Sequence, residues 1–178
     1  MKTLKQHIDE ALKIGKNLSK FSAYSYKPTN MKELSDIIKI RIKKDGPDCN
    51  LNDIDVSLIE DISSLFYRSQ FNGNISEWNV SNAKDMTGLF YRSKFNGDIS
   101  NWDVSNVNNM WAMFYMSKFN GDISKWDVSK VTDMSCMFKD SVFEGDISNW
   151  KINKDCDTAG MFYGCPIKEE YKPKILQR

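Results

Sequence analysis

The chain has 178 residues, 40% of them hydrophobic and 28% charged, a composition that suits one globular unit with a continuous core and excludes a disordered or fibrous chain. Its net charge of +1 conceals an asymmetry: residues 1–48 carry 11 basic and 6 acidic side chains, whereas residues 49–165 carry 10 and 16. An acidic central region lacks the clustered Lys and Arg of a nucleic-acid groove, and no apolar run is long enough to span a bilayer, so neither nucleic-acid binding nor membrane insertion is expected.

Read from the N-terminus, Met1 to His7 opens a charged amphipathic stretch without the apolar region of a signal peptide, which predicts a cytoplasmic location. Leu4, Ile8, Ala11, Leu12 and Leu18 share one face and predict a first helix from Thr3 to about Ser19. A second helix is marked more sharply: Asn30 as N-cap, Glu33 three residues on, a stripe of Leu34, Ile37, Ile38 and Ile42, and Gly46-Pro47 as the stop. The two helices form an expected N-terminal cap over residues 1–46.

From residue 47 the chain repeats every 24 residues. Phe71, Phe95, Phe119 and Phe143 are each followed two residues later by Gly, and Trp78, Trp102, Trp126 and Trp150 keep the same spacing. A second column runs Phe66, Phe90, Phe114, Phe138 and Phe162. Copies at 71–94, 95–118 and 119–142 are flanked by divergent ones at 143–166 and 47–70, and residues 167–178 read as a tail. Within each copy, alternation such as Trp102 and Val104 between polar neighbours predicts a short strand. The spacing of Val107, Met110, Met113 and Phe114 predicts a helical or 3₁₀ turn, and Asn120-Gly121-Asp122 a bend with Gly at positive φ. Together these predict an α/β repeat solenoid of the leucine-rich-repeat type, a stack of about five coils with a short parallel sheet behind a helical cap.

The run Phe95-Asn96-Gly97-Asp98-Ile99-Ser100-Asn101-Trp102-Asp103-Val104-Ser105-Asn106-Val107, continuing to Met110, Met113 and Phe114, resembles the BspA-like leucine-rich repeat, also described as a mycoplasma-lipoprotein-type repeat. The resemblance covers residues 47–166. It implies a bacterial or phage-borne repeat protein and, for many relatives, a surface or secreted role in adhesion.

Chemistry is sparse. The one histidine, His7, has no evident partner, and Ser100, Ser124 and Ser148 have no accompanying base, so no catalytic residue is assigned and no enzyme is expected. Cys49, Cys136, Cys156 and Cys165 lack zinc-site spacing and read as free thiols. The Asp98, Asp122 and Asp146 column, with Asn74 in its first place, suggests either shared calcium or turn amides; short acceptors after Gly favour the turn, and no metal or cofactor is expected.

Residues that break the repeat are the better guide to function. Trp111 stands where other copies have Thr87 and Ser135, and Met116 where they have Arg68 and Arg92. Each reads either as an exposed anchor for a partner or as packing against Tyr91 or Tyr115. Tyr67-Arg68 and Tyr91-Arg92 read either as an extension of that patch or as stacked surface pairs, while Asn101, Asp103, Lys125 and Asp127 are expected to point outward from the sheet as a second candidate surface. The resulting expectation is a non-catalytic protein-binding module with an unidentified protein partner; adhesion or glycan binding and a structural spacer are the alternatives.

Overall fold

A computed structural model describes residues 24–177; the expected first helix and His7 lie outside the described residues. The second expected helix is present as α1, Met31–Asp45. Asn30 caps it by accepting from the Glu33 amide (3.0 Å), while the Glu33 carboxylate accepts from the Thr29 amide (2.8 Å). This reciprocal arrangement satisfies donors that a helix start leaves unpaired. Gly46, at φ 90°, closes the other end by donating to Ile42 (3.0 Å).

α1 buries Leu34, Ile37 and Ile38 in the same core as the first repeat. Arg41 fixes the docking. Its guanidinium donates to both carboxylate oxygens of Asp53 (2.8 and 2.9 Å), to Asp45 (2.8 Å) and to the Asn50 carbonyl (2.9 Å). Beside it, Tyr26 forms a parallel bridge with Ile54.

The repeats stack in register, and the rings do most of the stacking. Phe66, Phe90, Phe114, Phe138 and Phe162 follow one another at 5.5–5.8 Å between centroids, and Phe71, Phe95, Phe119 and Phe143 at 6.0–6.4 Å. The two columns touch where one copy passes into the next, as for Phe90 and Phe95 at 4.4 Å. Stacked rings at these separations add to the free energy of burying them.

The expected leucine-rich-repeat-type α/β solenoid with a parallel sheet is not what the chain forms. Among the described residues there is one α-helix, no extended strand, and parallel pairing only as isolated bridges such as Asp61 with Asp85 and Asp85 with Asn109. Trp102 and Val104 are buried and their neighbours Asn101 and Asp103 exposed, so the alternation is real. It does not make a strand, because side chains span the gap between repeats there: the indole N–H of Trp102 donates to the Ile75 carbonyl (3.1 Å) and the Asn106 amide to Ser81 (2.8 Å). The Trp78, Trp126 and Trp150 indoles repeat the first of these bonds at 2.9–3.2 Å.

The expected helical turn is also replaced. Residues 111–116 form successive β-turns, with Ala112 at φ 50° and Met116 at φ 51°. The same left-handed positions recur 24 residues apart, at Ser64, Gly88, Ala112, Cys136 and Gly160, and at Arg68, Arg92, Met116, Asp140 and Gly164. Alternate amides then face the next repeat: Met86, Gly88, Phe90 and Arg92 donate to Asn109, Trp111, Met113 and Tyr115 at 2.8–2.9 Å. Regular hydrogen bonding between repeats is therefore concentrated in this turn segment.

The conserved spacing of Gly after Phe has a different cause from the one its turn context suggests. Gly97 is not at positive φ; a Cβ there would sit 2.8 Å from the Phe95 ring and 3.2 Å from the Gly73 carbonyl. The glycine permits close approach of the chain to its own ring and to the preceding repeat. Residues 167–177, expected as a tail, fold back on the last repeat: Ile167 and Pro173 are buried, and Ile147 donates to the Tyr171 carbonyl (3.0 Å).

Candidate functional site

The aromatic core divides the candidate residues into two surfaces. Phe90 and Trp102 meet inside, 6.3 Å apart, so the turn segment and the Trp segment flank the core on different sides. Tyr91, Arg92, Trp111 and Met116 belong to the turn side. Asn101, Asp103, Lys125 and Asp127 belong to the Trp side, all four exposed.

On the turn side the outward residues form a stripe. Tyr67 stacks on Tyr91 (4.9 Å) and Tyr91 on Tyr115 (4.7 Å), and the Lys139 ammonium lies 5.8 Å from the Tyr115 ring and 5.2 Å from Tyr163. Arg68 and Arg92 cover Tyr67 and Tyr91 at 5.2 and 5.7 Å. A cation held over an aromatic face is attracted by the ring quadrupole, so the stripe is partly organised before any partner arrives. Lys139 and Tyr163 were missed as candidates, although their 24-residue spacing from Tyr67, Tyr91 and Tyr115 was visible. Read as ordinary repeat positions, they gave no reason to expect a continuous ladder.

Trp111 is 43% exposed and Met116 40% exposed. Trp111 makes no ring contact with Tyr91 or Tyr115 among the described residues; its amide donates to Asn109 (2.9 Å) and its carbonyl accepts from Gly88 (2.8 Å), leaving the indole outside the ladder. Met116 is tied to the stripe, its Sδ accepting from Arg92 Nε at 3.2 Å.

The Trp side is polar, and much of its polarity is spent locally. Asp103 accepts from the Ser105 amide (3.0 Å) and Asp127 from that of Ser129 (3.1 Å). Asp98, Asp122 and Asp146 likewise each accept from a Ser amide two residues on at 2.9 Å, and Asn74 does the same at 3.0 Å. These bonds are the turn role of the column. Among the described residues no cluster of three or more His, Cys, Asp or Glu has the arrangement of a metal site.

The Ser amides and hydroxyls hold the carboxyls of Asp98, Asp103, Asp122, Asp127 and Asp146 below their ordinary range. A lowered native pKa gives stability that is present above the unfolded value of about 4 and is lost as pH falls through the native value. Melting temperature is therefore expected to drop on acidification below about pH 4. In the triple variant Asp98→Asn, Asp122→Asn, Asp146→Asn, which keeps the acceptor and resembles Asn74, that acid-side drop should be shallower. An unchanged slope would remove these carboxylates from the acid response.

All four cysteines are free, and burial pushes the thiols of Cys49, Cys156 and Cys165 up, away from the nucleophilic thiolate. No described helix is long and apolar enough to cross a membrane.

A family model described as "Mycoplasma protein of unknown function, DUF285" matches residues 29–118 and again 95–171. The chain belongs to that family. The two overlapping matches agree with a repeated unit, and they begin beside α1 and run to the C-terminal segment. Membership in this mycoplasma-type repeat family brings no assigned activity. No curated protein and no solved structure matches the chain.

Proposed function

We propose that the protein is a non-catalytic, protein-binding repeat module of bacterial or phage origin, acting in the cytoplasm, and that it engages its partner through the turn-side stripe. The closer kinship with BspA-like repeats, carried by the Phe95 to Phe114 pattern, belongs to the same reading. The observation that carries it is Trp111: a large apolar ring held in solvent, at a position where the scaffold accepts Thr or Ser. Trp, Tyr and Arg are the residue types enriched at interface hot spots, and Met116, Tyr91 and Arg92 on the same side of the stack add adaptable contacts.

The pre-stacked tyrosines support this reading because little side-chain freedom remains to be lost on binding. Trp111→Ser is expected to weaken partner binding by about 2 kcal/mol while leaving the fold intact, since Ser135 occupies the same repeat position. Lys118→Ala, at an exposed position, is the control and should change affinity little. Partner captured by the full-length chain would be titrated against both variants, with thermal melts run alongside. Unchanged affinity in folded Trp111→Ser would reassign binding to the polar side around Asn101, Asp103, Lys125 and Asp127.

A further inference from the structure

Each internal junction of the stack is closed by the same four backbone hydrogen bonds. At the last one, Met134, Cys136, Phe138 and Asp140 donate to Asp157, Ala159, Met161 and Tyr163 at 2.7–2.9 Å. One repeat later the equivalent donors are Thr158, Gly160, Phe162 and Gly164, and among the described residues none of their amides has an acceptor. The edge is nonetheless formed: Gly160 and Gly164 hold φ 63° and 66°, the same left-handed positions used at every junction.

Residues 167–177 extend the stack on the Trp side, through the bond from Ile147 to Tyr171, which lies one period further on. On the turn side they leave a cleft of about 630 Å³ against the open edge, lined by Gly160, Phe162, Tyr163, Lys172, Ile175 and Leu176. Its size is that of sites that hold a small ligand or a few residues of peptide.

We infer that this cleft docks an extended segment of a partner polypeptide, which joins the stack as a partial further repeat. Alternate carbonyls of the segment accept from Thr158, Gly160, Phe162 and Gly164, and a large apolar or aromatic side chain rests near Phe162. The edge continues, without interruption, the interface by which each repeat holds the next. A row of amides at alternate residues calls for a row of carbonyls, the donor and acceptor pattern of edge recognition, and not for a single anion. Phe162 stacks on Phe138 (5.8 Å) as the last ring of its column, with the Lys172 ammonium 5.7 Å from it, so the column ends at the cleft. This site lies at the end of the stack and does not depend on the stripe around Trp111.

The test uses the isotope-labelled full chain and a synthetic peptide with the sequence of residues 84–94, which supplies the carbonyls of Asp85, Thr87, Leu89 and Tyr91 and the ring of Phe90. The amides of Gly160, Phe162 and Gly164 should shift on titration, and their hydrogen exchange should slow by about tenfold or more at saturation. A scrambled peptide should do neither. Ile175→Asp, an exposed change within the cleft, should weaken the peptide about fivefold or more, while Trp111→Ser should bind it as the wild type does. The inference is overturned if these amides are unmoved by about 1 mM peptide, or if they are already protected in the free chain.

Discussion

Trp102→Ala is expected to lower the free energy of unfolding by roughly 3–5 kcal/mol, a large part of what holds a domain of this size together. The indole is 3% exposed and stacks on the Trp78 indole and the Phe90 ring (6.3 Å each), so its removal opens a cavity on the side of the stack where the indole N–H itself bridges successive repeats. It also strips the Ile75 carbonyl of its donor, and a buried acceptor left unpaired adds to the cost. Chemical denaturation of wild type and variant measures the difference. A near-neutral result would mean that the indole is not the bridge between these repeats.

Deleting residues 1–46 is expected to cost more still, comparable with the whole stability of the domain, and to leave a chain that aggregates. The deletion removes Leu34, Ile37 and Ile38 from the core and uncovers Leu51 and Ile54, both fully buried in the intact chain. It also leaves Asp53 without Arg41 and Ile54 without the bridge to Tyr26. Circular dichroism and sedimentation of the 47–178 fragment give the readout. A soluble, cooperatively melting fragment would show that the repeats do not need α1.

The parts of the fold that could be read in the sequence are those where a side chain reports its own position. Identical rings every 24 residues announce a stack because only stacking buries them all, and Asn30, Glu33 and Gly46 delimit α1 by the bonds a helix end requires. Backbone pairing was not legible in the same way. The alternation of Trp102 and Val104 with polar residues records which side chains face inward, and a buried face looks the same whether neighbouring chains pair through amides or through Trp and Asn side chains. The left-handed positions were hidden because Arg68, Arg92, Met116 and Asp140 occupy them, with glycine only at Gly164 in that column. The glycines that were conspicuous, such as Gly97, serve close approach instead. At the C-terminus, the repeat motif fades after residue 166, and nothing in Ile167 to Leu176 advertises that Tyr171 continues the register of Ile147.

For the candidate site, Trp111 and Met116 were visible because they depart from the period, and both prove exposed. The ladder of Tyr67, Tyr91, Tyr115, Lys139 and Tyr163 beside them needed the stacking distance between repeats. Asp103 and Asp127 looked equally available, but their bonds to Ser105 and Ser129 engage one carboxylate oxygen each in local turns.

The repeated Phe and Trp rings lie inside the stack, and Trp111 and Met116, which break the repeat, lie outside. Acrylamide quenching of tryptophan fluorescence, compared between the wild type and Trp111→Phe, tests this division directly. Of the five tryptophans, Trp78, Trp102, Trp126 and Trp150 are 3–5% exposed and Trp111 is 43% exposed. The wild type should therefore show a red-shifted, readily quenched component that vanishes in the variant, leaving blue-shifted, protected emission. Equal quenching of wild type and variant would contradict the division, and with it both the stack and the surface built on it.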